Sequence, residues 1–247
     1  MISGADLLRE QVAWACRILS LEGYSDLTLG HVSARAPDGS VFIKRKGVAL
    51  GEVEPEDVVE LGDESVPLHL ETVLHTEVYR ARPDVGAVVH GHPPYATALA
   101  ATEARLALLT HDAVLFKDGI GRYDESADLI TEPEQGQAVA RALGSHRAVL
   151  LRNHGVLVVG KDVAWAVLGA VTLERAIGMQ SVAGSLGPLR PIPPDWAERL
   201  YPEKYTDHLV EEYWASWIRR VQRFSATPRS ARGTEIRGSS RESLRER

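Results

Sequence analysis

Apolar residues recur along the chain at two spacings, and the switches between them mark out its elements. Leu8, Val12, Cys16 and Leu19 fall on one stripe of a helix from about Gly4 to Leu21, with Ser3 placed to cap it and Gly23 to end it. Leu27 to Arg35 and Val41 to Ile43 read as strands around a Pro37-Asp38-Gly39 turn, an antiparallel hairpin. A helix from about Leu70 to Arg82 stops at Pro83, and the run Val85, Ala87, Val88, Val89 reads as a buried strand. Pro93-Pro94-Tyr95 opens a helix from Ala96 to Glu103, Leu106 to Phe116 reads as strand or buried loop, and Glu134 to Leu143 reads as helix. Two further apolar runs, Ala148 to Leu151 and Val156 to Val159, are split by the polar Arg152-Asn153-His154-Gly155, a second hairpin. A long helix from Val163 to about Val182 follows. Leu186 to Pro194, rich in proline and glycine, reads as a connection, and a final helix from Asp207 to Phe224 carries the stripe Leu209, Tyr213, Trp217, Val221. Strands and helices alternate, yet the two hairpins exclude a purely parallel sheet. The pattern predicts one α/β/α domain over residues 1–225 with a mixed, mainly antiparallel central sheet.

Composition narrows the class without naming a function. A chain of 247 residues, 44% hydrophobic and 25% charged, has material for one substantial core. No apolar stretch approaches the ~18 residues of a membrane span, and Asp6, Arg9 and Glu10 interrupt the region where a signal peptide needs apolar residues. A cytoplasmic protein with no membrane partner is expected. The formal charge of −6 argues against nucleic acid as a partner. Residues 226–247 depart from the rest, with six arginines against three glutamates and few apolar side chains, and are expected to form a disordered basic tail. Cys16 is the single cysteine and sits on an apolar stripe, which favours a packing role.

The chemistry collects in Glu71 to His92. Side chains alternate along a strand, so His90 and His92 point to one side, with Gly91 between them. Such a pair either chelates a metal or is an ordinary pair of hydrogen-bonded histidines, and a catalytic site calls for a third ligand. His154, at the tip of the second hairpin, is a candidate. Glu71 and His75, four residues apart on a helix, would be neighbours on one face, and a carboxylate beside a metal is a candidate general acid/base.

Glu71 with His75, then Y-R-A-R-P-D-V-G-A-V-V-H-G-H-P-P-Y-A-T-A, then L-L-R-N-H-G, resembles the class II aldolase/adducin superfamily. That family includes sugar-phosphate aldolases, ribulose-phosphate 4-epimerases, decarboxylases and dehydratases. The resemblance covers roughly residues 5–220. It implies that His90, His92 and His154 hold one divalent metal per subunit, with zinc expected ahead of manganese, cobalt or iron, and that Glu71 moves protons beside it. It also implies a homotetramer with active sites between subunits. The family's phosphate-binding segments map onto Gly30-His31, Lys46-Gly47 and the pair before the glutamate. That pair, serines in sugar-phosphate members, is here His69-Leu70, and leucine offers no donor. His111 stands near the position of the family's proton-donating tyrosine, and Tyr213 is a candidate for its second, C-terminal tyrosine. The implied function is a metal-dependent carbon–carbon lyase acting on a small anionic substrate through a metal-stabilised enolate. Decarboxylation or retro-aldol cleavage of a hydroxy- or oxo-carboxylic acid, aromatic substrates included, ranks ahead of a sugar-phosphate aldolase or 4-epimerase. A non-catalytic adducin-like interaction module is the rival from another class.

Overall fold

The computed structural model describes residues 3–24 and 26–226; the segment expected to be a disordered basic tail lies outside them save for its first residue. Ser3 caps α1 (Gly4–Leu21), its hydroxyl accepting the Asp6 N–H at 3.1 Å. β1 (His31–Arg35) and β2 (Val41–Lys44) form the first hairpin, with Ser33 opposite Ile43, and β3 (Val58–Glu60) pairs on the outer side of β2. Then follow α2 (Val73–Ala81), β4 (Ala87–Gly91), α3 (Pro94–Ala100), β5 (Gly121–Tyr123), α4 (Pro133–Leu143), β6 (Ala148–Leu151) and β7 (Gly155–Gly160). The described residues end in α5 (Val163–Leu186), α6 (Pro194–Lys204) and α7 (Asp207–Ala226).

The seven strands form one sheet in the order β3-β2-β1-β4-β7-β6-β5. Every described pairing is antiparallel except β5 with β6, so the sheet is mixed and mainly antiparallel, as the two hairpins predict. Alternation along the strands feeds two cores. Ala87 and Val89 of β4, with Val156 and Val158 of β7, face α1, α3 and α5, while Val88, Leu157 and Val159 face α2 and α4. That makes three layers. β1 keeps the alternation but not the chemistry: Val32 and Ala34 join the first core, whereas His31 and Ser33 lie buried on the α2 side.

Three expectations need correction. The helix expected from Leu70 begins at Val73, because Glu71 is non-helical (φ −89°, ψ 19°) and joins a short 3-10 turn, Leu70–Thr72, to α2. Of the two readings of Leu106 to Phe116, the loop holds: the segment is coil followed by a 3-10 turn, Asp112–Phe116, in which Ala113 to Phe116 are buried. β5 and α6 were not foreseen: β5 has three residues, and α6 contains Pro202 and buries only Ala197, so neither carries a readable period. On α7 the packed stripe is Val210, Trp214, Trp217 and Val221, one position away from the expected one at its first two members. Tyr213 is 37% exposed.

Candidate metal centre and substrate corner

The ends of three central strands meet at one corner of the sheet. Pairing sets His31 at the start of β1 opposite His90 near the end of β4, and Gly91 opposite Val156 at the start of β7. His92 follows β4, and His154 occupies the β6–β7 turn, where Asn153 takes a left-handed φ of 53°. Glu71 enters from the kink before α2. One donor atom each from Glu71, His90, His92 and His154 lies within 4.8 Å of all the others.

Hydrogen bonds orient two of the three imidazoles. His90 Nδ1 is 3.1 Å from the Val156 carbonyl and can only donate to it, so Nε2 carries a lone pair. That Nε2 is buried and has no hydrogen-bond partner, a costly arrangement unless a cation takes the lone pair. His92 Nδ1 lies 2.6 Å from Asp26 Oδ2 and donates to it, which leaves the lone pair of the neutral ring on Nε2. Burial, then the neighbouring His90, holds the His92 imidazole down to about 4 against the pull of Asp26. It is therefore neutral at pH 7, the form that ligates metals. Three imidazoles and a carboxylate, with an orphaned ring nitrogen among them, fit a divalent transition metal such as zinc.

Glu71 divides its two oxygens. Oε1 accepts the Ile130 N–H at 3.1 Å, while Oε2 faces His154 Nε2 at 3.5 Å and His90 Nε2 at 3.6 Å. Burial pushes this carboxyl up, but His154 and His90 outweigh it and hold the group well below the usual carboxylate range. His75, expected beside Glu71, turns away from the four donors: its Nε2 is 2.6 Å from His31 Nδ1 and its Nδ1 is 2.6 Å from Ser33 Oγ. The backbone kink at Glu71 separates the two side chains.

Two glycines make room for the rings. A Cβ on Gly155 would sit 2.7 Å from His92 Cδ2 and 2.6 Å from the Gly91 carbonyl, and one on Gly91 would sit 2.9 Å from the Tyr24 ring.

The expected substrate residues divide. His31 and His69 are buried next to the cluster, with ring centroids 4.6 Å apart, and His31 lies 4.9 Å from His90. Burial pushes both imidazoles down, His69 to about 4 with help from Lys44. Gly30 (φ 68°) passes close to the His90 carbonyl, and Gly47 (φ 88°) turns in open space. Lys46 is exposed, and Leu70 is 64% exposed. The cation that reaches the corner is Lys44, whose Nζ donates to Thr28 O at 3.0 Å and to His69 Nε2 at 3.1 Å. The alternation that buries Phe42 also buries Lys44, a signal available in the strand pattern. No comparable signal marks Asp26, whose partner is 66 positions away.

His111 and Tyr213 stand apart from the four donors within one chain. His111 is exposed at the start of the 3-10 turn, where its carbonyl accepts the Tyr205 hydroxyl at 3.3 Å, and Tyr213 lines a cavity with Asp112, Arg175 and Trp217. No hydrogen bond, ion pair or ring contact among the described residues joins either to the cluster. No helix among them is long and apolar enough to cross a membrane.

A three-layer α/β/α fold with three histidines and a glutamate gathered at converging strand ends defines a metal-site domain of the aldolase type. The chain belongs to the class II aldolase and adducin N-terminal domain family, whose model matches residues 10–181. It is 32% identical over 207 residues to a 3,4-dihydroxyphthalate decarboxylase of Arthrobacter keyseri, covering 75% of this chain and 82% of that protein. It is 35% identical over 137 residues to a 4-hydroxy-3-prenylphenylpyruvate oxygenase/4-hydroxy-3-prenylbenzoate synthase of Streptomyces roseochromogenus subsp. oscitans. That match takes in 56% of this chain and 49% of the relative, about half its length. In fold it is similar to an L-fuculose 1-phosphate aldolase from Glaciozyma antarctica PI12, with a TM-score of 0.77 at 24% identity over 89% of this chain and 90% of that one. With the donor set intact and a decarboxylase among its relatives, the chain is an enzyme of the lyase kind.

Proposed function

We propose that the protein is a divalent-metal-dependent decarboxylase of a small hydroxylated, aromatic carboxylic acid. The observation that carries this reading is the cluster of Glu71, His90, His92 and His154, with one Glu71 oxygen left facing the rings. His90, His92 and His154 would hold the ion, zinc first among manganese, cobalt and iron. When bound, it supplies Lewis-acid polarisation of substrate oxygens and offsets the negative charge that develops as the carbon–carbon bond breaks.

The chain's own groups would supply the proton traffic. Glu71 would accept a proton from the substrate hydroxyl at Oε2, while Oε1 stays committed to the Ile130 N–H. The carboxylate leaves as CO₂, its bonding electron pair stays on the ring carbon, and that carbon takes the proton back from Oε2. One proton is drawn from solvent per turnover. The relative named for 3,4-dihydroxyphthalate supports an aromatic diol acid. Leu70, exposed and without a donor where sugar-phosphate members carry serine, weighs against a phosphate. His111 and Tyr213 enter the reaction in this proposal only from a neighbouring subunit of a homotetramer.

The test is metal analysis of protein purified without chelators, run beside His92→Ala, followed by CO₂ release assays on dihydroxylated benzoates and phthalates. About one ion per wild-type chain, lost in the variant, is expected. No bound ion, and no thermal stabilisation on adding zinc, manganese or cobalt, would overturn the reading.

A further inference from the structure

A cavity of about 490 Å³ opens at the end of the sheet opposite the metal corner. Val159 and Gly160, at the far end of β7, line it, and none of the four donors does. The run from His154 to Val159, about 16 Å at the ordinary strand rise, separates the two places. The volume falls within the range of small-molecule sites, about 300–1,000 Å³.

Most of the charge around this cavity is already matched. Arg82 pairs with Asp84 at 2.7 Å, Asp118 with Lys117 at 2.9 Å, and Lys161 with Asp207. Arg147, half-buried just before β6, is the exception: it forms no ion pair with any described carboxylate. Its guanidinium lies 5.2 Å from the centre of the Trp165 ring, in the first turn of α5, and 6.0 Å from that of Tyr201, on α6. Rings attract a cation through their faces but leave its edge donors open. One of those donors, Nη2, gives its proton to the Tyr201 hydroxyl at 2.6 Å, and the others have no acceptor among the described residues.

Because the Tyr201 oxygen accepts from Arg147, its own proton is turned to another acceptor, and no described residue supplies one. His146, also in the lining, keeps Nδ1 buried without a partner. A partly desolvated cation without a counter-ion is costly, and an anion lowers that cost. A guanidinium edge beside a phenol O–H matches the two oxygens of a carboxylate. Much of the remaining lining is apolar: Leu115, Phe116 and Val159 are buried, and Trp165 and Tyr201 add their rings. A bare inorganic anion leaves that surface uncovered, whereas a flat ring covers it.

We propose that this cavity is a second ligand site, for a small aryl carboxylate. Arg147 and the Tyr201 hydroxyl hold the carboxylate, and the ring packs against Trp165 and Phe116. The site goes beyond the metal chemistry and does not rest on the decarboxylase reading. Tyr201 also lies outside residues 10–181, which the family model matches.

The probes are benzoate, benzamide, which has the shape without the charge, and inorganic phosphate, which has the charge without the ring. Each is titrated into the nitrogen-15-labelled full chain, once loaded with zinc and once stripped of it. The reporter is the Trp165 indole N–H signal, assigned by its loss in Trp165→Phe. That signal should move saturably with benzoate, with the same dissociation constant in both preparations. Benzamide and phosphate should each bind at least about tenfold more weakly. Arg147→Gln should weaken benzoate by at least about tenfold and Tyr201→Phe by about two- to tenfold, with zinc content unchanged. Tyr201→Phe removes a single hydroxyl, so it carries the test even where Arg147→Gln fails to fold. No movement of the Trp165 signal, movement only with zinc bound, benzamide or phosphate binding as tightly as benzoate, or unchanged benzoate affinity in either folded variant would overturn the assignment.

Discussion

Glu71 and Glu174 are both buried glutamates, 8% and 6% exposed, and they serve opposite ends. Glu174 projects from α5 and spends both oxygens on the first turn of α3, accepting the Tyr95 and Ala96 N–H groups at 2.8 Å each. Glu71 gives one oxygen to Ile130 and leaves the other among histidines. Burial raises the Glu174 carboxyl despite its two backbone donors, whereas the histidines around Glu71 overcome the same penalty. A carboxylate with both oxygens committed to backbone is a fastener. One with a free oxygen turned into a cluster of imidazoles is placed as a reagent, and burial alone does not tell the two apart.

Substitutions at the two sites should separate these roles. Glu71→Gln keeps the shape and an acceptor for Ile130 but removes the base; turnover should fall by about 10²–10⁴ while the ion is retained, measured by single-turnover CO₂ release and metal analysis. Equal loss of metal and turnover would recast Glu71 as chiefly a ligand. Glu174→Ala should do the reverse, costing about 2–3 kcal/mol in urea unfolding because two α3 N–H groups lose their acceptor, with kcat unchanged in the protein that remains folded. A Glu174 variant that unfolds normally yet is catalytically dead would break the comparison.

Acid provides a smaller, graded test. Burial is the main cause holding His75 down to about 3, against about 6.5 in an unfolded chain. Between those values the unfolded chain binds more protons, so this contribution to stability is complete above about pH 6.5 and is lost as pH falls toward 3. In chelator, the loss from His75 alone between pH 7 and pH 5 should be on the order of 2 kcal/mol, read as a lower urea midpoint. Midpoints that do not move across this window would show that His75 is not held neutral.

The sequence carried the frame of the molecule well and its polar interior poorly. The hairpins, α1, α5 and the buried β4 and β7 runs announce themselves through period and punctuation. The resemblance, more than the spacing, pointed to His90, His92, His154 and Glu71 as one set. What stayed hidden is non-local. Asp26 meets His92, and Ser33 meets His75, only after β1 has docked on β4 and α2 has covered them. Lys44 borders the cationic run Arg45-Lys46, yet the strand alternation that buries Phe42 turns it inward. On α7 two neighbouring registers of the same apolar stripe compete, and packing against α1 and α5 decides for Val210 and Trp214 over Leu209 and Tyr213.

The four donors of the metal cluster come from both halves of the chain and are brought together by β4 pairing with β7. Contacts so far apart in sequence form late, after a large loop has closed. A nascent chain that has emerged only as far as His92 carries Glu71, His90 and His92, and of the four donors lacks only His154. On the proposed ligand set, coordination would be complete only with His154, once the sheet has zipped, so metal capture would mark the completion of folding rather than seed it.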